Sequence, residues 1–422
     1  MKQKGNTTSA MLAVNVSDIS GDTWKSLKIE VGKESVTVGG TTTDYLPTAL
    51  IATMAENASL SLGEVSYSDG AAVSSENAGL LCNTMNTGSS LSVGTLSVGE
   101  VVTITATSGS AGGLVGLMNS GASLTVNANV DTAVTIGSNF TITGQNAGGL
   151  IGSGENIKLG SAKVIIDGAK VNGSAAVGGL IGSYTTNGAE GSFTAYDGSD
   201  TSTLKVNSVT LNTTADNKYA GGLFGVLDLK SDYTISNASV TSTIAGSKAY
   251  YGGLVGQVKG DSDDSLRALT ISGTSNPSTS TSVNLNGYAG AVAVVGVTSS
   301  PVYVNIEGAF SPTFAGANIL RKDTYFGGVA AYLNSDSVLE LTANVTIACD
   351  TIAETNGYGG GVLGKAERGS TLCLGGTTDL SDTKFKESYI NEYTGQIVGT
   401  QDSALIYAKS DWTLIRQTTA QA

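Results

Sequence analysis

Short runs in which apolar and polar residues alternate recur along the whole chain. Examples are residues 124–130 (LTVNANV), 164–171 (VIIDGAKV), 204–211 (LKVNSVTL) and 233–240 (YTISNASV). A period of two residues predicts β-strands with one buried face. Glycine, asparagine, serine and aspartate separate these runs, and these residues favour turns. The pattern therefore predicts many short strands joined by tight turns.

A glycine-rich signature repeats at a regular spacing between these strands. The strong copies are residues 111–116 (AGGLVG), 147–152 (AGGLIG), 177–182 (VGGLIG), 220–225 (AGGLFG) and 251–256 (YGGLVG). Weaker copies are residues 78–82 (AGLLC), 289–293 (AGAVA), 326–331 (FGGVAA), 359–364 (GGGVLG) and 394–399 (TGQIVG). Successive copies are 30 to 43 residues apart, on average about 35, and a period of this size is typical of a repeat architecture.

Such short strands can bury their apolar faces only against the strands of neighbouring units. We therefore predict an all-β fold, a parallel β-solenoid in the form of a right-handed β-helix, with about ten rungs and non-repeat caps. At ~4.8 Å per rung the rod would be about 50 Å long. The signature glycines are expected to supply positive φ and close backbone approach, with the leucine pointing inward.

Three regions follow from where the signature occurs. Residues 1–70 are predicted to form an N-terminal cap, residues 71–400 the repeat domain, and residues 401–422 a C-terminal flank or cap. The two tryptophans, Trp24 and Trp412, lie in the flanks. Residues 48–56 (TALIATMAE) form the one segment for which we predict a helix, with Thr48 as its N-cap.

The charge and the cysteine content argue against several classes of function. The formal net charge is −13, from 22 basic and 35 acidic residues, so the chain lacks the basic surface that attracts nucleic acid or anionic lipid. No apolar run approaches the ~18 residues of a membrane span. Cys82, Cys349 and Cys373 form no CxxC pair and the chain contains no histidine, which argues against a zinc site. We predict that the cysteines are buried. The sequence leaves a disulfide between Cys349 and Cys373 as an alternative.

The series of Gly-Gly-Leu-Val/Ile-Gly motifs resembles the GLUG-motif repeats of large bacterial surface proteins, adhesins and surface-attached peptidases. The resemblance covers residues 78–400 and is closest between residues 111 and 256. It implies a secreted or cell-surface protein whose repeats serve as a stalk or an adhesive tract. The export signal and the anchor are expected to lie outside this chain. The repeats of that family carry no catalytic residues that could be transferred to this sequence.

Candidate chemistry is sparse, and we assign no catalytic, cofactor-binding or metal-binding residue. Without histidine, the enzymatic alternative is a polysaccharide-active β-helix that uses paired carboxylates. Two acidic loops, residues 197–200 (DGSD) and 261–264 (DSDD), offer oxygen ligands for Ca²⁺, but a solvated turn explains them as well.

Aromatic residues precede three successive signatures, namely Tyr250, Tyr251, Tyr288, Tyr325 and Phe326. If the units stack in register, these rings form a ladder, either packed inside the coil or exposed as a ligand-binding stripe. Threonines at 103, 105, 107, 141 and 143 suggest a flat array of the ice-binding kind, but we do not expect them to recur at one position in successive units.

Together these features predict a non-enzymatic extracellular protein that acts as an adhesin or a structural stalk on a microbial surface. The alternatives are the polysaccharide-active enzyme and a subunit of a phage fibre or other filament. The partners that we consider are a host glycan, a host protein or further copies of the chain, without nucleic acid, membrane contact or a cofactor. Specificity is expected in the insertions between signatures, especially residues 183–203 and 257–267.

Overall fold

The computed structural model describes the larger part of the chain. The described residues are 28–32, 34–38, 40–127, 133–159, 164–187, 191–194, 204–216, 218–245, 249–261, 265–280, 287–320, 324–354, 357–385 and 394–416. They form strands and turns, and they contain no helix. This part of the chain also offers no helix that is long and apolar enough to cross a membrane.

The strands are short and follow one another closely. The first are β1 (Lys28–Val31), β2 (Glu34–Val38), β3 (Thr41–Tyr45), β4 (Ile51–Met54), β5 (Ser59–Tyr67), β6 (Ala71–Ser75), β7 (Ala78–Gly79), β8 (Cys82–Met85), β9 (Ser90–Val98), β10 (Val102–Ala106), β11 (Ser110–Gly112), β12 (Val115–Met118), β13 (Ser123–Val126), β14 (Val134–Ile136) and β15 (Phe140–Gly148). The next are β16 (Ile151–Glu155), β17 (Lys158–Leu159), β18 (Val164–Asp167), β19 (Lys170–Gly178), β20 (Ile181–Thr186), β21 (Gly191–Thr194), β22 (Leu204–Thr213), β23 (Lys218–Gly221), β24 (Phe224–Leu229), β25 (Tyr233–Ser236), β26 (Ser239–Ile244), β27 (Ala249–Lys259), β28 (Arg267–Ser272), β29 (Asn276–Ser280) and β30 (Ala289–Val295). The last are β31 (Val302–Ile306), β32 (Thr313–Leu320), β33 (Tyr325–Gly327), β34 (Ala330–Leu333), β35 (Val338–Leu341), β36 (Val345–Thr346), β37 (Ala348–Glu354), β38 (Tyr358–Gly360), β39 (Leu363–Ala366), β40 (Thr371–Leu374), β41 (Thr377–Leu380), β42 (Thr383–Phe385), β43 (Thr394–Gly395), β44 (Val398–Gln401), β45 (Leu405–Ala408) and β46 (Thr413–Arg416).

Equivalent strands of successive turns pair in parallel, which makes the chain a β-solenoid of about nine turns. One turn illustrates the path: β10 pairs with β6 and β15, β11 with β7 and β15, β12 with β8 and β16, and β13 with β9 and β17. The parallel ladders gather into sheets of 29, seven, five and three strands. The prediction of a parallel β-solenoid with about ten rungs is confirmed.

The core is a column of apolar side chains inside the coil. The signature leucines, Leu114, Leu150, Leu180, Leu223 and Leu254, are at most 1% exposed. Each stacks on its equivalent in the next turn, since the amide of Leu114 donates to the carbonyl of Leu150 and that of Leu150 to Leu180, at 3.0 and 2.9 Å. The inward orientation predicted for these leucines is confirmed.

The signature glycines are required by close backbone approach and not by positive φ. The glycines with positive φ in the described residues are Gly40, Gly70, Gly88, Gly121, Gly168, Gly273, Gly296, Gly369 and Gly376, and none belongs to a signature. A Cβ on Gly148 would instead lie 1.9 Å from the carbonyl oxygen of Ile151 and 2.7 Å from the amide nitrogen of Gly182 in the next turn. The expectation of positive φ was therefore wrong, while that of close approach is confirmed.

Positive φ occurs at several corners of the coil, among them the corner that follows the signature strand. The corner residue is glycine in some turns, such as Gly88 (φ 67°) and Gly121 (φ 73°), and Asn57 (φ 57°) or Asp336 (φ 60°) in others. This left-handed conformation suits glycine and, among other residues, asparagine and aspartate best. Neighbouring corners are joined by hydrogen bonds such as Asn119 Nδ2 to Asn86 Oδ1, 3.1 Å.

The predicted helix at residues 48–56 is wrong. Residues 51–54 form β4, which pairs in parallel with β8, and Leu50 and Met54 point into the core. The parallel pairing of β4 with β8 in the next turn outweighs the local helix propensity and the suitable N-cap of this segment. Parallel pairing thus begins inside the predicted N-terminal cap, and the domain boundaries themselves stay predictions.

The flanks otherwise differ from the repeats, as far as they are described. The hairpin of β2 and β3 is antiparallel, unlike the ladders of the coil. Trp412 packs partly buried against the core and donates through Nε1 to Thr378 Oγ1 at 3.1 Å, whereas Trp24 lies outside the described residues.

All three cysteines are buried free thiols, as predicted for small apolar side chains. Burial raises the pKa of the Cys82 thiol to about 12, so this sulfur is a poor nucleophile near neutral pH. Cys349 and Cys373 lie on β37 and β40, in two different sheets, and do not form the disulfide that the sequence left open.

Candidate functional site

A ladder of tyrosines runs along one surface of the coil. Its members, which we call the tyrosine ladder, are Tyr219, Tyr250, Tyr288, Tyr325 and Tyr358, each two residues before a glycine that begins the Gly-Gly part of a signature or its weaker copy. Strand pairing aligns them directly: Tyr219 pairs with Tyr250, and Tyr325 with Tyr358. The ladder therefore extends over five successive turns.

The rings are in contact from one turn to the next. Ring centroids lie 5.3 Å apart between Tyr219 and Tyr250, 4.4 Å between Tyr250 and Tyr288, 4.8 Å between Tyr288 and Tyr325, and 5.3 Å between Tyr325 and Tyr358. Tyr325 is buried, and the other four are partly exposed. These distances lie within the usual range of favourable aromatic pairs.

The fold itself does not require tyrosine at this position. In the preceding turns the same column is occupied by Asn77, Ser110, Asn146 and Ala176, of which the last pairs with Tyr219. These turns adopt the same parallel coil with small side chains. Because the tyrosines are confined to one part of a uniform coil, they point to a role other than stabilising the rung.

A second column of side chains faces the ladder across the bend made by the signature. It contains Gln257, Val294, Tyr332 and Lys365, which pair in register on β27, β30, β34 and β39. Tyr332 stacks on Tyr288 with centroids 5.3 Å apart and an interplanar angle of 13°. In an early turn the same two columns meet through Asn77 Nδ2 and Thr84 Oγ1, 3.4 Å apart. The two columns thus pack against each other on either side of the signature bend, and we call this pair of columns the ladder groove.

A charged pair lies at one end of the ladder groove. Lys365 Nζ is 5.3 Å from the ring centroid of Tyr325 and 5.4 Å from that of Tyr332, a cation–π geometry. The same ammonium lies 2.7 Å from Glu367 Oε1, which also accepts a hydrogen bond from the Tyr332 hydroxyl. The positive charge of Lys365 is therefore neutralised locally.

The pKa directions agree with this network. Burial, and then the hydrogen bond to Glu367, raises the pKa of Tyr332, so its hydroxyl stays protonated. Burial alone would raise the pKa of Glu367, but the hydrogen bonds from Lys365 and Tyr332 outweigh it and lower that pKa. Glu367 is thus held as a carboxylate that accepts hydrogen bonds.

The lowered pKa of Glu367 predicts a pH-dependent contribution to stability. A carboxyl whose folded pKa lies below its unfolded value stabilises the fold above the unfolded pKa, and this contribution is lost as the pH falls through the folded pKa. We expect the thermal midpoint of Glu367→Gln to lie below that of wild type at pH 7, and the difference to be smaller at about pH 3, below the ordinary pKa of glutamate. Circular dichroism melts of both proteins at both pH values measure this. A difference that persists unchanged at the lower pH would contradict the prediction.

The structure divides the aromatic residues that the sequence singled out. Tyr251 and Phe326 point into the core and are fully buried, as in the alternative of rings packed inside the coil. Tyr250 and Tyr288 belong to the partly exposed ladder. Tyr219 and Tyr358 were missed, although their spacing to the signature would have identified them. Tyr332 and Lys365 approach the ladder only through the fold, because they follow the signature instead of preceding it.

The acidic loops contribute little to a site. Asp261 lies 3.6 Å from Lys230 Nζ, whereas Asp263, Asp264 and residues 197–200 are outside the described part of the chain. Among the residues that the structure describes, no group of three or more His, Cys, Asp or Glu side chains could hold a metal ion. The insertions 183–203 and 257–267 are described only in part.

The threonine array is more regular than expected and still short. Thr103 pairs with Thr141 and Thr105 with Thr143, so the expectation that these residues do not recur in successive units was wrong. The next turn places Lys170 and Asn172 at these two positions. Their larger side chains interrupt a flat array after two turns.

The tyrosine ladder is therefore the most distinctive surface feature of the described coil.

No family model, no curated protein and no solved structure matches this chain.

Proposed function

We propose that this chain is a non-enzymatic adhesive repeat protein displayed on the outside of a microbial cell. The observation that supports it best is the tyrosine ladder, which occupies a column that other turns of the same coil fill with small residues. In this proposal the coil is a rigid scaffold and the ladder groove is its contact surface. Binding residues on a rigid scaffold need no ordering on contact, which favours adhesion.

The sequence supports the extracellular setting of this proposal. The repeated Gly-Gly-Leu motif resembles the GLUG repeats of bacterial surface proteins, and residues 111–256 carry it most clearly. A net charge of −13 with 57 glycines is also in keeping with a soluble exposed rod. The signal and the anchor remain part of the proposal.

The chemistry of the ladder groove favours binding over catalysis. A sugar hydrolase needs a carboxylic acid with a raised pKa that can protonate the leaving oxygen. Glu367, the carboxylate hydrogen-bonded in this groove, has the opposite shift, since Lys365 and Tyr332 donate to it and lower its pKa. It is therefore suited to fixing side chains in place.

The adhesion proposal predicts that the ladder is needed for attachment and not for folding. We expect beads coated with the double variant Tyr250→Ala and Tyr288→Ala to bind microbial or host cells and secreted matrices about tenfold less than wild-type beads, because an aromatic pair is worth about 0.5–1.5 kcal/mol and about 1.4 kcal/mol is a factor of ten. The matched control is Tyr303→Ala, which removes a partly exposed tyrosine on β31, outside the ladder. Wild-type beads that attach to no surface would overturn the adhesive function.

A further inference from the structure

The closest neighbours in the tyrosine ladder are Tyr250 and Tyr288. Their ring centroids lie 4.4 Å apart and their ring planes are inclined by 28°. Because carbon atoms in contact are about 3.5–4.0 Å apart, the two rings touch. The amide of Tyr251 donates to the carbonyl of Tyr288 at 2.8 Å, so the pairing of neighbouring turns holds the two side chains next to each other. The ring contact is therefore built into the coil.

The hydroxyl groups of this pair also lie together, since the hydroxyl of Tyr288 hydrogen-bonds with that of Tyr250. In a phenol, the ortho carbons are bonded to the carbon that carries the hydroxyl. Neighbouring hydroxyl groups therefore bring ortho carbons of the two rings close to each other. These carbons share the unpaired electron of a tyrosyl radical with the oxygen, and they are the atoms that become bonded when two tyrosyl radicals couple to dityrosine.

Exposure distinguishes this pair from a tyrosine contact inside the coil. Tyr250 and Tyr288 are both partly exposed, so an oxidant in the solvent can reach part of either side chain. Tyr184 and Tyr233 are also in contact, with ring centroids 5.6 Å apart, but they are only 5% and 6% exposed. The ladder thus holds a tyrosine pair that is both in contact and accessible from solvent.

Other rings of the ladder groove extend the surface from which this pair can be oxidised. The ring centroid of Tyr219 lies 5.3 Å from that of Tyr250, and the centroid of Tyr325 lies 4.8 Å from that of Tyr288. Tyr332 stacks on Tyr288 at 5.3 Å and 13°. Aromatic rings in contact exchange electrons readily, so a radical that forms on one of these rings can pass to the pair.

We propose that Tyr250 and Tyr288 are a site of oxidative modification, at which a dityrosine bond joins two neighbouring turns of the coil. The oxidant is hydrogen peroxide activated by a peroxidase. The proposal goes beyond adhesion and does not depend on it, because the reaction needs only the tyrosine pair and the oxidant.

The reaction is balanced as follows. Burial raises the pKa of Tyr250, so its hydroxyl is protonated at neutral pH and oxidation removes a proton together with an electron. Each tyrosine loses one electron and one proton, and the two radicals form one carbon–carbon bond between their ortho carbons. The hydrogen on each of these carbons is then lost as a proton while the phenolic oxygen regains one. The two electrons and two protons released reduce one hydrogen peroxide, whose O–O bond breaks, to two water molecules.

Peroxidase treatment of the whole chain in dilute solution tests the proposal. We expect the monomer, isolated under denaturing conditions, to show dityrosine fluorescence. Mass spectrometry should find the peptides that contain Tyr250 and Tyr288 joined, with the loss of two hydrogen atoms. The variant Tyr250→Phe/Tyr288→Phe keeps both rings but lacks the hydroxyl groups, so its monomer should lose most of this fluorescence. The control Tyr303→Phe, at a partly exposed tyrosine on β31 outside the ladder, should retain it.

Three results would each overturn the proposal, provided that circular dichroism shows every variant to be folded. These are a wild-type monomer without dityrosine, equal fluorescence of the monomers of wild type and Tyr250→Phe/Tyr288→Phe, and joined peptides that occur only in oligomers.

Stability provides a second measurement. A bond between Tyr250 and Tyr288 closes a loop in the unfolded chain and lowers its conformational entropy. The purified cross-linked monomer should therefore unfold at a higher urea concentration than untreated wild type, whereas peroxidase treatment should leave the midpoint of Tyr250→Phe/Tyr288→Phe unchanged. A midpoint of the cross-linked monomer equal to or below that of untreated wild type would show that the bond does not stabilise the pairing of the two turns, contrary to the proposal.

Discussion

Gly148→Ala is expected to disrupt the coil strongly. The added Cβ would lie 1.9 Å from the carbonyl oxygen of Ile151 and 2.7 Å from the amide nitrogen of Gly182. Both atoms belong to the backbone, so relief requires the bend between residues 148 and 151 to open and the turn that contains Gly182 to move away. Since these turns are joined through β15, β16, β19 and β20, their hydrogen bonds would weaken together. We expect a loss of about 3 kcal/mol or more in the free energy of unfolding, at the upper end for overpacking.

Gly154→Ala is the matched control in the same turn. A Cβ at Gly154 would meet only side-chain atoms of Ile157, the nearest at 3.1 Å, and that side chain can adjust. Urea unfolding followed by circular dichroism compares the two variants. Hydrogen exchange of peptides locates the effect, which should be large for residues 140–182 and small for residues 324–385, because a solenoid is stabilised by contacts between neighbouring turns. Equal stability of the two variants would contradict the prediction, because it would show that the backbone around Gly148 can move at little cost in free energy.

Phe224→Ala is expected to have an effect of similar size. Phe224 is fully buried, and its ring packs 5.8 Å from that of Tyr184 and 6.2 Å from that of Tyr233. Tyr184 and Tyr233 are also in contact, at 5.6 Å, so the three rings form one cluster inside neighbouring turns. Truncation removes the central ring and leaves a cavity, which costs about 3–5 kcal/mol for a buried phenylalanine.

Val226→Ala serves as the control for this cluster. It lies on the same strand, β24, but is only partly buried on the outer face, so its truncation should cost about 0.5 kcal/mol or less. Thermal and urea unfolding of both variants measure the difference. A loss of stability below about 1 kcal/mol in Phe224→Ala would mean that Tyr184 and Tyr233 collapse into the space, contrary to the close packing of protein interiors.

A one-dimensional coil explains how one part can be specialised without affecting the rest. Each turn contacts mainly its two neighbours, so a column can change from Ala176 to Tyr219 between adjacent turns while the parallel pairing continues. The early turns then extend the rod, and the later turns carry the ladder groove. In the proposed adhesive function, this division would let contact residues vary while the core stays constant.

Part of the candidate site was accessible from the sequence. Tyr250, Tyr288 and Tyr325 were found because they keep a constant distance from the signature, and parallel in-register pairing preserves such distances in space. The same reasoning applied to every signature would have added Tyr219 and Tyr358. Tyr332 could not be found this way, because it reaches Tyr288 across the bend of the signature, and the shape of that bend is a property of the folded coil.

The errors of sequence reasoning share one cause. Residues 48–56 resemble a helix locally, and the signature glycines resemble turn residues, yet both were misread because the deciding contacts form only in the folded coil. Ile51 donates its amide to the carbonyl of Leu81 in the next turn, at 2.9 Å, and begins a strand there. Gly148 is required by the backbone of Ile151 in the same bend and by that of Gly182, which is 34 positions further along the chain.

By itself the sequence determined the class of fold, through the alternation of apolar and polar residues and the spacing of the Gly-Gly-Leu signature, since both are local patterns that only stacked strands can satisfy. The tertiary structure decided which side of each strand faces solvent, how the bend at the signature brings two columns together, and which tyrosines stack partly exposed and which are buried. These features depend on distances between turns that are far apart in the chain. The ladder groove, on which the proposed function rests, arises from those distances.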